Sequence, residues 1–119
     1  MSYLPKHNGL PPYPVSLTGT VTSGNLITVA GAVAGANATN VIGVVDRDGV
    51  SGDKAAYYPL SMGVQRVVAN GAITAGSPIK AAAAGKVAPF VDGTDAQDRR
   101  LGMALTAAAA DGDVILARK

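Results

Sequence analysis

The sequence predicts an all-β fold: a small, compact β-sandwich or barrel of short strands, with an extended proline-rich arm at its N-terminus. The first observation is that turn signals recur about every 8–12 residues between short apolar or alternating segments. The second is that four of the seven prolines fall within the first 15 residues. A chain of 119 residues has the size of one domain, so no second independent core is expected.

Residues 1–15 form the predicted arm, and residues 16–119 form a single predicted β-rich domain. Proline fixes φ and lacks an N–H donor, which excludes a helix or a central strand in the arm. Apolar side chains alternate with the prolines, and a stiff segment of this kind loses little entropy when it docks. A disordered terminus is the alternative. The predicted partner-binding residues are Tyr3, Leu4, Pro5, Leu10, Pro11, Pro12, Tyr13 and Pro14.

The predicted domain contains a succession of short strands. An alternation of Leu17, Gly19 and Val21 with threonines predicts the first strand. Further strands are predicted at 26–30, 41–45, 56–60, 64–69, 78–81, 86–91, 100–106 and 113–118. The pair Asn70-Gly71 is typical of a tight hairpin. The alanine runs 81–84 and 107–110 are the best helix candidates, but they are too short for more than one helical turn each.

Two features of the sequence each allow two interpretations. Residues 42–45 precede Gly52-Asp53 much as residues 101–104 precede Gly112-Asp113, and either a repeated strand–turn unit or chance accounts for the similarity. Residues 7–45 carry no formal charge. Either much of this third of the chain faces another protein, or it holds the central strands with their loops.

The composition leaves few groups for catalysis. The chain has no Cys, one His and, among its acids, only Asp, so no thiolate nucleophile and no zinc-thiolate site is available. Asp46-Arg47-Asp48-Gly49 resembles the start of a calcium loop, but Tyr57 occupies the twelfth position, where that loop requires Glu. We therefore expect no enzyme activity, no metal and no cofactor. A small-molecule site would have to use the aspartates at 46–53 and 92–98.

Charge and hydropathy also limit the partners. The net charge of +2 predicts no large positive surface for nucleic acid. The basic pairs Arg99-Arg100 and Arg118-Lys119 have no aromatic residues between or beside them, so stacking on nucleic-acid bases is not expected. Residues 26–45 are uncharged over a length that spans a bilayer, but they include Asn37, Thr39 and Asn40. No membrane association is expected.

The second half of the chain carries a family resemblance. A Gly-Ala-Ile-Thr-Ala-Gly-Ser-Pro-Ile segment at 71–79 is followed by Gly85-Lys86-Val87. Then comes Leu-Gly-Met-Ala-Leu-Thr-Ala-Ala-Ala-Ala-Asp-Gly-Asp-Val at 101–114. This order resembles the small decoration, or cement, proteins of tailed-bacteriophage capsids, with one Asp added before the Gly-Asp pair. The similarity covers residues 64–119 best.

The resemblance implies a structural virion protein. Such proteins are compact β-rich domains that bind the outer surface of the expanded capsid as trimers and stabilise the lattice of the major capsid protein. It implies the major capsid protein and further copies of the chain as partners, and synthesis in the cytoplasm of a bacterial host, which the absence of Cys fits. A tail, spike or surface-binding β-module is the alternative.

Overall fold

The computed structural model describes residues 12–119, and the expected all-β fold is confirmed. This part of the chain contains nine strands, no α-helix and three short 3-10 turns. The strands are β1 Tyr13–Ser16, β2 Leu26–Thr28, β3 Val41–Val45, β4 Lys54–Tyr58, β5 Gln65–Asn70, β6 Pro78–Ala81, β7 Val87–Pro89, β8 Arg100–Ala104 and β9 Asp111–Arg118. The 3-10 turns are Leu60–Met62, Ala83–Gly85 and Gln97–Arg99.

The strands form two structures that follow one another along the chain. The first is a four-stranded antiparallel sheet in the order β1-β4-β3-β2, here called the N-terminal sheet. The second is a closed barrel in the order β5-β7-β6-β8-β9, here called the C-terminal barrel. Pairing of β9 with β5 and a parallel contact of β7 with β5 close the barrel.

Two local predictions were wrong. The alternating segment from Leu17 to Val21 is not a strand, because the backbone bends at Thr18 and Gly19. Thr18 instead donates from its Oγ1 to the carbonyl of Ala30, 3.0 Å away. Asn70-Gly71 does not close a tight hairpin, since β5 pairs with β9 and β7 rather than with the next strand, β6.

The two halves repeat one pattern of pairing. Strands β1, β4, β3 and β2 lie in the same order as β5, β9, β8 and β6. The registers agree as well: Ile27 of β2 lies opposite Gly43 of β3, and Ile79 of β6 lies opposite Gly102 of β8. The similarity between 42–53 and 101–113 therefore reflects a repeated structural unit.

The buried side chains follow the same repeat. The interior of the N-terminal sheet is formed by Leu17, Val21, Ile27, Val45 and Ala55. The corresponding positions of the C-terminal barrel hold Ala69, Ile73, Ile79, Ala104 and Ile115. Each interior combines aliphatic residues with alanine, so the two units enclose narrow cores at equivalent places.

A Gly-Asp pair lies at the start of the last strand of each unit, directly before β4 in the first unit and within the first residues of β9 in the second. Gly52 and Gly112 both adopt a φ of +94°, in the left-handed region that favours glycine. The carboxylate of Asp53 accepts a hydrogen bond from the N–H of Val50 at 2.9 Å. Asp113 accepts in the same way from Ala110 at 3.1 Å. The turn needs a residue without Cβ followed by a short acceptor, which explains why the pair occurs twice.

The two units share a core. Leu26 and Val44 lie on the opposite face of the N-terminal sheet from Ile27 and Val45, and they join the core cluster of the C-terminal barrel. Strands β2 and β3 are therefore buried on both faces, which produces continuous apolar runs. For these strands the lack of charge follows from burial within the molecule.

Gly102 should be indispensable for the stability of the barrel. A Cβ there would lie 2.1 Å from the carbonyl oxygen of Arg118, whereas at Gly35 it would meet nothing within 4 Å. We expect Gly102→Ala to lower the free energy of unfolding by about 3 kcal/mol, as overpacking against backbone does. Gly35→Ala is the control and should change it by less than about 0.5 kcal/mol. Urea denaturation measures both, and equal stability of the two variants would contradict the close strand approach.

The loop before β8 is fixed by a carboxylate. Asp95 accepts a hydrogen bond from the Lys80 ammonium on β6 at 2.7 Å and from the N–H of Val91 at 2.8 Å. The bond from Lys80 and then that from Val91 hold the pKa of Asp95 below its usual range, despite the opposing effect of burial. The ionised form is therefore favoured in the folded protein.

This ion pair predicts a pH-dependent stability. Asp95→Asn should lower the free energy of unfolding at pH 7. Because the folded state binds this proton less readily than the unfolded chain, the contribution is complete above the unfolded pKa of about 4 and is lost as the pH falls through the lower folded pKa. Thermal melts between pH 2 and 7 should show the variant and wild type converging at low pH. Asp98→Asn is the control, and a difference that persisted unchanged to pH 2 would refute the assignment.

Candidate functional site

The structure covers only part of the predicted binding arm. Tyr3, Leu4, Pro5, Leu10 and Pro11 lie outside the described residues. Of the others, Pro12 is exposed, whereas Tyr13 and Pro14 begin strand β1.

Strand β1 contains the last residues of the predicted arm. It lies at the edge of the N-terminal sheet, where proline is tolerated because one side of the strand makes no ladder hydrogen bonds. Tyr13 lies opposite Tyr57 of β4, with ring centroids 5.8 Å apart and planes inclined at 51°. Val15 packs against the interior of the sheet. Residues 13–15 of the predicted arm therefore belong structurally to the sheet.

The aspartates at 46–53 stabilise turns. The Asp46 carboxylate accepts from the N–H of Ala56 at 3.2 Å, and that of Asp48 accepts from the N–H of Ser23 at 2.8 Å. Asp53 accepts from Val50, as described above. These carboxylates accept from three different backbone donors, one on strand β4, one in the loop between β1 and β2 and one in their own loop.

The aspartates at 92–98 serve the loop between β7 and β8. Asp95 binds Lys80, and Asp92 accepts from the side-chain amide of Gln97 at 2.9 Å. Across residues 12–119, no group of three His, Cys, Asp or Glu side chains is placed to hold a metal ion. All the aspartates of the two clusters except Asp98 thus bond to other groups of the chain.

The concave surfaces are shallow clefts. One of about 460 Å³ lies where the N-terminal sheet meets the C-terminal barrel. Its lining residues are Ser23, Gly24, Val44, Val45, Asp46, Tyr58, Val64, Gln65 and Arg66. Asp46, its acidic residue, is already bonded to backbone, so this cleft does not present the paired acids that a saccharide-processing site would require.

The uncharged stretch at 26–45 forms no helix. It contains β2, β3 and the loops between them. None of the helical segments in residues 12–119 is long and apolar enough to cross a bilayer.

An apolar strip on the outside of the barrel was not predicted. It consists of Leu105, Val114 and Leu116, here called the outer strip. Val114 is 62% exposed and Leu116 is 38% exposed. Leu105 is held beside Leu116 by a 2.7 Å hydrogen bond from its N–H to the Leu116 carbonyl. The signal in the sequence is the run Val114–Ala117, apolar at consecutive positions although a strand with one wet face should alternate.

The repeat shows that the fold does not require this strip. The positions of the N-terminal sheet that correspond to Val114 and Leu116 are Lys54 and Ala56. The same architecture is therefore built once with a charged and a small residue on this face and once with two large apolar residues. Exposed apolar residues that adjoin one another mark interaction surfaces more often than isolated ones do.

A family model described as phage cement protein matches residues 7–119. No curated protein matches the chain.

Among solved structures, the chain is similar to the N base of the head fiber protein gp8.5 of bacteriophage phi29. The identity is 19%, the TM-score is 0.68, and the similarity covers 90% of this chain and 91% of that one. At this identity the likeness concerns the fold. The family match extends over nearly the whole sequence, and on that evidence the chain belongs to the phage cement proteins, structural proteins that stabilise the capsid.

Proposed function

We propose that the protein binds the outer surface of the expanded phage capsid as a trimer and cements the lattice of the major capsid protein. The observation that carries this proposal is the match of the cement-protein family from residue 7 to residue 119. In this proposal the activity is binding alone and requires neither catalysis nor a cofactor.

Binding alone is sufficient for cementing. A protein that binds the expanded lattice and not the unexpanded one stabilises the expanded state by mass action. Three linked contacts per trimer raise the overall affinity without any new chemistry. A standard interface buries about 800 Å² on each partner, far more than three side chains supply. The outer strip therefore needs a second contact region, and the arm is the candidate.

The arm is suited to a contact at some distance from the domain. Strand β1 fixes its point of departure, because Tyr13 is paired with Tyr57 and Val15 is packed in the sheet. The residues before it combine prolines with Tyr3, Leu4 and Leu10, and aromatic residues are common energetic centres of interfaces. Such a segment can lie on a capsid subunit or add a strand to an exposed sheet edge.

A second candidate is favoured by the structural similarity to a head fiber base. The protein would then be the foot of a projecting appendage or another surface-binding module of the virion. Copy number in purified particles separates the two: hundreds of copies indicate decoration of the whole lattice, and a few copies indicate a tail or spike.

Deletion of residues 2–11 tests the role of the arm. The deletion ends before Tyr13 because a longer one would remove the first strand of the sheet. We expect the urea midpoint to remain that of wild type and the affinity for expanded shells to fall at least tenfold, since the apolar anchors are lost while the domain is intact.

A matched pair of full-length variants identifies the residues responsible. Substitution of Tyr3, Leu4 and Leu10 by Ser should reproduce the loss, whereas Ser2→Ala with Asn8→Ala should not. Wild-type affinity of the truncated protein would exclude the arm as a contact.

A further inference from the structure

The carboxylates of this protein are almost all engaged within the chain. All eight acidic residues are aspartates and lie within residues 12–119. Seven of them accept a hydrogen bond or an ion pair from the chain itself; they are Asp46, Asp48, Asp53, Asp92, Asp95, Asp111 and Asp113. In the described structure Asp98 alone has no such partner.

The arginines divide into two groups. Arg47 and Arg99 have a carboxylate oxygen within 4 Å. No carboxylate of the described residues lies that close to Arg66, Arg100 or Arg118, and all three arginines are exposed. Asp46 lines the same cleft as Arg66, but it bonds instead to Arg47 and to the backbone of Ala56.

Two of these arginines converge because of the strand topology. Strand β8 begins at Arg100 and the antiparallel strand β9 ends at Arg118, so both lie at one end of the barrel. They line a groove of about 370 Å³, here called the basic groove. Its lining residues are Gln97, Arg100, Leu101, Gly102, Met103, Arg118 and Lys119, with no acidic side chain among them.

The groove has an apolar floor and cationic walls. Leu101 and Met103 are half-buried, and Gly102 between them carries no side chain. Arg66 extends the positive surface beyond the groove. It lies on β5, opposite Leu116 of β9, and is therefore the diagonal neighbour of Arg118 on β9. This diagonal places the cations beside the outer strip. A guanidinium suits a carboxylate because its planar donors can bind both oxygens.

We propose that the basic groove binds an extended, carboxylate-bearing segment of the capsid protein and that it forms, with the outer strip, the capsid-facing surface of the barrel. The inference rests on the proposed function and names the chemistry of the partner. A second copy of the chain is a poor occupant, because seven of its eight side-chain carboxylates are already engaged. Nucleic acid is a poor occupant too, since no aromatic side chain lines the groove for base stacking.

The test compares two double variants with the same change in net charge. Arg100→Gln with Arg118→Gln removes the two cations of the groove, and Arg47→Gln with Lys54→Gln removes two cations of the N-terminal sheet and its loop. Each protein is co-sedimented with expanded shells, with and without nuclease treatment, at about 50 and 300 mM salt. We expect at least tenfold weaker binding for the groove variant at low salt, a shallower salt dependence than wild type, and binding of the control within twofold of wild type.

A measurement without shells separates the groove from the proposed function. Isotope-labelled wild-type protein is titrated with a hexaglutamate peptide. We expect amide shifts confined to 100–103, Arg118 and Lys119, and their absence in the groove variant. No shift at millimolar peptide, or shifts spread over all cations, would overturn the groove as an acidic-segment site.

The shell experiment has further outcomes that overturn the inference. If wild type and the groove variant bind equally, cementing stands and the groove is not its contact. Equal weakening of both double variants would assign the effect to net charge. Binding abolished by nuclease would identify nucleic acid as the partner, and altered self-association of the groove variant in solution would identify a second copy. If wild type does not bind expanded shells at all, the proposed function fails.

Discussion

The close approach of neighbouring strands at Gly43 and Gly102 is the constraint on which the fold depends. Each glycine lies opposite a fully buried isoleucine of one neighbouring strand and against the backbone of the other. A Cβ at Gly43 would lie 2.5 Å from the carbonyl of Tyr58, and at Gly102 it would lie 2.1 Å from that of Arg118. The absent side chain lets the strands close around a narrow interior.

A narrow interior limits the stabilisation that each unit can supply. Alanine and valine bury little area each, and hydrophobic stabilisation scales with buried apolar area. The two units compensate by sharing a core, with Leu26 and Val44 of the sheet packed on the barrel. The repeat therefore contributes to stability as well as to architecture, because neither unit buries both faces of β2 and β3 alone.

The fold class and many elements were predictable from local pattern. Strands β3 and β6 lie where the short apolar runs placed them, because turn residues flank each run. The repeat was visible only as a short similarity, since the register that pairs Ile27 with Gly43 joins residues distant in sequence. The segment from Leu17 to Val21 was wrongly predicted to be a strand. A bend between two buried residues can have the same alternation of threonine with apolar residues.

The site was less predictable than the fold. The sequence predicts a partner-binding arm, most of which lies outside the described residues, and shows Arg118-Lys119 only as a basic pair without aromatic neighbours. The grouping of Arg100 with Arg118 depends on antiparallel pairing of β8 and β9, which no local pattern encodes. The exposure of Val114 and Leu116 was hidden because the same residues suit a core strand.

The most direct test of cementing is the thermal stability of the capsid itself. Calorimetry of expanded shells, with and without saturating protein, reports whether binding stabilises the lattice. Cementing predicts a higher shell melting temperature that rises with protein concentration, and no rise for unexpanded shells. Saturable binding that left the melting temperature of expanded shells unchanged would contradict cementing and leave a protein that only decorates the surface.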